Sequence, residues 1–133
     1  MDALARLIAE REIERVILDY AACNDAGAWD QVAALYSDDG RMSRPTAPDA
    51  FIVGREAILA AFLARPPRIT RHVCANVRVT LESPDQARAD SQILLFTGAD
   101  QAPLVGSYAD RLVRTTDGWR FTERRGNLDF AKN

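Results

Sequence analysis

The chain holds one histidine (His72), two cysteines and one lysine (Lys132) in 133 residues. One imidazole and scattered carboxylates make no ligand set, so no metal centre is expected. Cys23 and Cys74 have no metal-ligand spacing, and no Cys-x-x-Cys occurs, so both read as free thiols of a cytoplasmic protein. A basic block is also missing. With a net charge of −2 and a pI of about 5.4, nucleic acid is not an expected partner. The opening MDALARLIAEREIERVIL carries charges throughout, so neither an export signal nor a membrane span is read there. No Gly-x-Gly-x-x-Gly and no phosphate loop is present, and no cofactor is expected. Repeats, low-complexity tracts and linkers are likewise missing, which leaves residues 1–133 as a single domain.

What is present is an ordinary globular balance, 47% hydrophobic and 27% charged. Leu7, Ile13, Val16, Ile17, Tyr20 and Ala21 recur at three- and four-residue spacing, which predicts a helix from about Ala3 to Asp25, stopped near Ala26-Gly27. A short helix with Trp29, Val32, Ala33 and Tyr36 on its apolar face follows, closed by Ser37-Asp38-Asp39-Gly40. Arg41–Arg44 reads as a brief strand, Pro45–Phe51 as a loop, and Arg55–Ala64 as a third helix burying Ile58, Leu59, Phe62 and Leu63. Pro66-Pro67 ends it. Strands are expected near 69–82, 86–97, 104–115 and 118–128, joined by turns at Ser83-Pro84-Asp85 and Thr116-Asp117-Gly118. Three helices and then an antiparallel meander is an α+β plan, and strands this long imply a strongly curved sheet with a concave, pocket-forming face.

The stretch RITRHVCANVRVTL (Arg68–Leu81) carries the histidine. In strict alternation His72, Cys74 and Asn76 share one face and Arg71, Val73 and Ala75 the other. A face that is polar without charge suits a pocket wall, and an imidazole there is a candidate general base. Tyr20, on the apolar stripe of the first helix, is a candidate to aim its hydroxyl into the pocket; Met42, Phe96 and Tyr108 are further pocket-wall candidates.

Three segments, ILDYAACNDAGAWDQVAALYSDDG, TRHVCANVRV and GSYADRLVRTTDGWRFTERR, in this order and spacing, resemble the SnoaL-like branch of the nuclear-transport-factor-2-like superfamily over nearly the whole chain. The resemblance implies a cone-shaped fold with helices packed in a curved, mainly antiparallel sheet. Within the branch the motifs are most similar to scytalone dehydratases and hexachlorocyclohexane dehydrochlorinases, which use an aspartate–histidine pair. Asp25 and His72 fall at the matching positions. Cys74 and Asn76 match the residues two and four places beyond the histidine, and Arg124 in GWRFTERR matches an arginine lining the cavity. The chain departs in having no second histidine, the matching place falling near Phe96-Thr97.

The resemblance implies a cofactor-independent lyase or isomerase. In it, His72, oriented by Asp25, takes a proton from carbon in a small apolar cyclic molecule, and Arg124 or a tyrosine steadies the anion. Two other readings stand beside it. One is a non-catalytic binding or assembly module like the small subunits of ring-hydroxylating dioxygenases; the other is a polyketide cyclase, on fold analogy alone. Leu94-Leu95-Phe96 puts apolar residues on both faces of a strand, and a homodimer or homotrimer is expected.

Overall fold

The computed structural model describes residues 1–130; Lys132 lies outside the described residues. Helix α1 (Ala3–Asp25) starts where the Asp2 carboxylate accepts the N–H of Ala5 at 2.7 Å. Its buried stripe is Ala9, Ile13, Val16, Ile17, Tyr20 and Asn24, while Leu7, expected inside, is exposed. The helix stops as its composition suggests. Gly27 takes φ +67° and donates to Asn24 O, and Ala28 donates to Cys23 O, the paired bonds of a Schellman cap. That cap fixes the last turn, and with it Asn24 and Asp25.

Helix α2 (Trp29–Ala34) ends two residues short of Tyr36, where the apolar spacing would carry it. Tyr36 instead begins strand β1 (Tyr36–Arg44), which pairs with the last strand through Tyr36↔Phe121 and Arg41↔Glu123. The residues Ser37–Gly40 sit where that register shifts. A side chain at Gly40 would meet Phe121 O at 2.8 Å, so the turn-like Ser-Asp-Asp-Gly serves as an irregularity inside a strand, not as a helix stop. Ala47–Val53, part of the expected loop, is β2, an edge strand, a place that tolerates Pro48. Helix α3 (Arg55–Leu63) buries Ile58 and Phe62 and leaves Leu63 exposed.

Strands β3 (Arg71–Ser83), β4 (Gln86–Phe96), β5 (Leu104–Thr115) and β6 (Gly118–Leu128) form the expected meander. The single sheet runs β2-β1-β6-β5-β4-β3, antiparallel except for the parallel β1–β6 pair. Its inner face and the helices enclose a core of Ile13, Ile17, Val32, Tyr36, Ile58, Phe62, Trp119 and Phe121. Trp29 stacks on Phe62 with ring centroids 5.2 Å apart. Among the described residues no helix is long and apolar enough to cross a membrane.

Strand β3 breaks its own alternation. Asn76 has φ +53°, and the register with β4 shifts between Ala75 and Arg78. His72 and Cys74 therefore point inward, Asn76 points out, and Val77, Val79 and Leu81 return to the inner face. Asparagine tolerates the left-handed region and β-branched residues do not. Asn76→Val is accordingly expected to cost about 1–2 kcal/mol in urea unfolding.

Candidate active site

Three donors converge on one carboxylate. The Asp25 side chain, held by the capped end of α1, accepts the His72 backbone N–H on Oδ2 at 2.8 Å. Its Oδ1 accepts the Thr70 hydroxyl at 3.0 Å and lies 2.5 Å from His72 Nδ1. Both members are nearly removed from solvent, with side-chain exposures of 8% for Asp25 and 11% for His72. A carboxylate here can only accept, so Nδ1 carries the proton and the lone pair is on Nε2. The Thr70 bond and the His72 amide bond lock the carboxylate plane, which in turn locks the ring.

His72 lines a cavity of about 380 Å³, the size of a small-molecule site. Tyr20, Met42 and Tyr108 also line it. Asp25 stands behind the imidazole, in a small recess shared with Thr70 and Trp29.

Four other expected residues are not on the cavity wall. Asn76 faces outward because of the β3 bulge and donates from Nδ2 to Gln92 Oε1 at 2.5 Å. Phe96 lies on the outer face of β4, 37% exposed, since Ala87, Ala89, Ser91 and Ile93 take the inner positions. Cys74 points inward but packs against the core, where burial raises its thiol pKa against the opposing influence of Arg124. Arg124 is buried beneath the cavity. Its Nε donates to Asp110 Oδ1 at 3.0 Å, and its guanidinium lies 3.8 Å from the centroid of the Tyr108 ring and 4.4 Å from that of Tyr20. It underpins two wall residues without itself reaching the wall.

The tyrosines are neutral donors. Burial raises the pKa of Tyr108, although Arg124 works against it, and burial likewise raises Tyr20 and Tyr36. The Tyr20 and Tyr36 hydroxyls share a hydrogen bond at 2.9 Å. Asp110 is the strained member of its ion pair. Burial pushes its carboxyl up to about 6 despite Arg124, and its Oδ2 is buried without a partner.

Several residues of the site escaped the sequence reading. Asn24, one residue before Asp25, faces the cavity from α1. Thr70 carried a usable signal, since it precedes His72 by two and alternation puts both on one face. Arg44, Arg65 and Arg68 also line the cavity. Arg44 ended an apparent short strand, and Arg65 and Arg68 flank Pro66-Pro67, where charges look like ordinary loop solvation. Ile93, Leu95, Leu104 and Leu128 supply much of the apolar surface. Among the described residues no three His, Cys, Asp or Glu side chains are grouped to hold a metal ion.

The SnoaL-like domain matches residues 5–125, and the chain belongs to that family. Among solved structures, a provisionally assigned scytalone dehydratase from Novosphingobium aromaticivorans is similar at 25% identity and TM-score 0.83, over 99% of this chain and 94% of its own. An NTF2-like protein with a cystatin-like fold from the same organism is similar at 24% identity and TM-score 0.86, over 97% and 87%. The type-3 hexachlorocyclohexane dehydrochlorinase LinA of Novosphingobium barchaimii shares the fold at 18% identity and TM-score 0.84, over 97% and 92%. No curated protein matches the sequence.

Proposed function

We propose that the protein is a cofactor-independent lyase or isomerase in which His72 removes a proton from carbon. The observation that carries this reading is the Asp25–His72 pair. With Nδ1–H committed to the carboxylate, Nε2 is the nitrogen left for the cavity that His72 lines. As the imidazole gains a proton it becomes a cation beside Asp25, and the carboxylate stabilises that state. Tyr108, kept protonated by burial, is the wall donor for the anion or leaving group that develops, and Arg124 beneath its ring holds it in place. Membership of the SnoaL-like family and the likeness to a dehydratase and a dehydrochlorinase support the same class of chemistry.

A cavity module without chemistry would not require this tautomer. An imidazole tied to a backbone carbonyl would serve there, whereas His72 is tied to a carboxylate. Exposed Val73 and Phe96 on the outer sheet face support association into a homodimer or homotrimer.

Small cyclic alcohols, halides and enones, with and without an acidic substituent, make up the activity screen, read by mass spectrometry for loss of water or halide and by NMR for a moved double bond. Turnover of at least one class is expected. Failure of all of them with a folded protein that binds such compounds would favour the module.

A further inference from the structure

The cavity wall has a charge of one sign. Arg44, Arg65 and Arg68 all line it, and among the described residues no aspartate or glutamate does; Arg65 and Arg68 also border the recess of Asp25, whose carboxylate is occupied by Thr70 and His72. Elsewhere among the described residues seven arginines hold a carboxylate within ion-pair distance, from Arg11 with Glu14 to Arg125 with Asp49. Among the described residues none of the three cavity arginines does so. Arg44 donates weakly, from Nη2 to Ala61 O at 3.4 Å, and its Nε is buried with no partner. Arg65 has its guanidinium 4.7 Å from the Phe62 ring centroid, half-buried. Burial lowers the Arg65 pKa, and Arg44 and Arg68 lower it further, so Arg65 feels the charge of both neighbours. Like charges gathered in a half-buried hollow oppose folding, and an anion placed among them would relieve both the repulsion and the unpaired donors.

We infer that the ligand of this cavity bears a carboxylate, seated against Arg44, Arg65 and Arg68, with its ring on the apolar wall and its reacting carbon toward His72. The inference rests on the proposed function for the position of the reacting carbon; the recognition of the carboxylate rests on the arginines alone. A guanidinium presents a planar fork that matches a carboxylate and has no comparable match to an uncharged amide of the same shape. The charge also orients the ligand: the arginines hold one end, so the carbon beside His72 is the same in every binding event.

The test is a matched pair of probes, cyclohex-1-ene-1-carboxylate and its carboxamide, titrated calorimetrically at low ionic strength. The carboxylate should bind about 10- to 100-fold more tightly than the amide, and added salt should reduce the preference. Arg65→Gln with Arg68→Gln should cut the preference about 10-fold or more, whereas His72→Ala should keep it. Arg68 is exposed, so Arg68→Gln alone gives a variant whose fold is not in question, with a smaller loss in the same direction. Equal or tighter binding of the amide, or a preference that survives the double substitution, would overturn the inference. The two readings separate cleanly: a carboxylate preference without turnover in any screen rejects the lyase or isomerase and keeps the anion site, and turnover without the preference does the reverse.

Discussion

Arg124→Ala is expected to destabilise the native state by about 3–5 kcal/mol, a large part of the total stability of a domain this size. The reason is what the substitution leaves behind. Asp110 is almost wholly buried, one of its oxygens has no partner, and the other depends on Arg124 Nε at 3.0 Å. The Tyr20, Tyr108 and Phe121 rings around the guanidinium would also face a void. The loss should depend on pH. Burial already lifts Asp110 from 3.8 to about 6 in the native protein, and Arg124 is the main influence holding it down. Without Arg124 it rises further. A carboxyl whose folded pKa is raised binds more protons native than unfolded, so both proteins should lose stability as pH rises from about 4; the native protein levels off above about pH 6, where its Asp110 ionises, and the variant does not, so the gap between them should widen above about pH 6. Urea unfolding at several pH values checks this. Replacing both partners, Arg124→Met with Asp110→Leu, should restore much of the loss, because an apolar pair leaves no stranded charge.

His72→Ala is expected to lower kcat by about 10²–10⁴-fold while leaving the fold and most ligand affinity intact. The ring is not part of the packed core, and among the described residues only Asp25 holds it through a side-chain hydrogen bond. Asp25→Asn should also lower kcat strongly, by roughly 10²-fold, but it has a structural effect as well. Asp25 accepts three hydrogen bonds, two on Oδ1 and one on Oδ2. An asparagine has only one accepting oxygen, so its NH2 must oppose either the His72 amide or the Thr70 hydroxyl and Nδ1–H. About 1–3 kcal/mol of stability should go with it. Asp25 is a positioning residue, and the mark of that role is a split between the kinetic constants: in Asp25→Asn kcat should fall while KM changes little, because the carboxylate orients the base and does not line the cavity.

Much of the architecture is legible in the chain because the relevant signals are local. The four meander strands are bounded by Ser-Pro-Asp and Thr-Asp-Gly turns, and the end of α1 is fixed by a glycine that can enter the left-handed region. The Asp25–His72 proximity was legible only through resemblance, since no spacing rule links residues so far apart in sequence. The misses have physical causes. Tyr36 has helical spacing from Trp29 and Val32, yet pairing with Phe121 on β6 draws it into a strand, a non-local gain that local periodicity cannot register. Asn76 follows the alternation of β3 until the bulge reverses it, and an asparagine at a left-handed φ leaves little trace in a strand pattern. Arg124 looks like any arginine near a chain end; what buries it is Asp110, a partner on the neighbouring strand. The arginines at 44, 65 and 68 come from two separate segments, the end of β1 and the connection after α3, that only the fold brings together.

Proton exchange tests the central claim most directly, because it needs no leaving group and no knowledge of the natural product. Cyclic enones and enoates incubated with the protein in heavy water should gain deuterium at an acidified sp3 carbon, α′ or γ to the carbonyl, followed by NMR. The native protein is predicted to accelerate that exchange at one carbon, with Asp25→Asn slower and His72→Ala at the buffer rate. Exchange that continues undiminished in His72→Ala would contradict the assignment of His72 as the base.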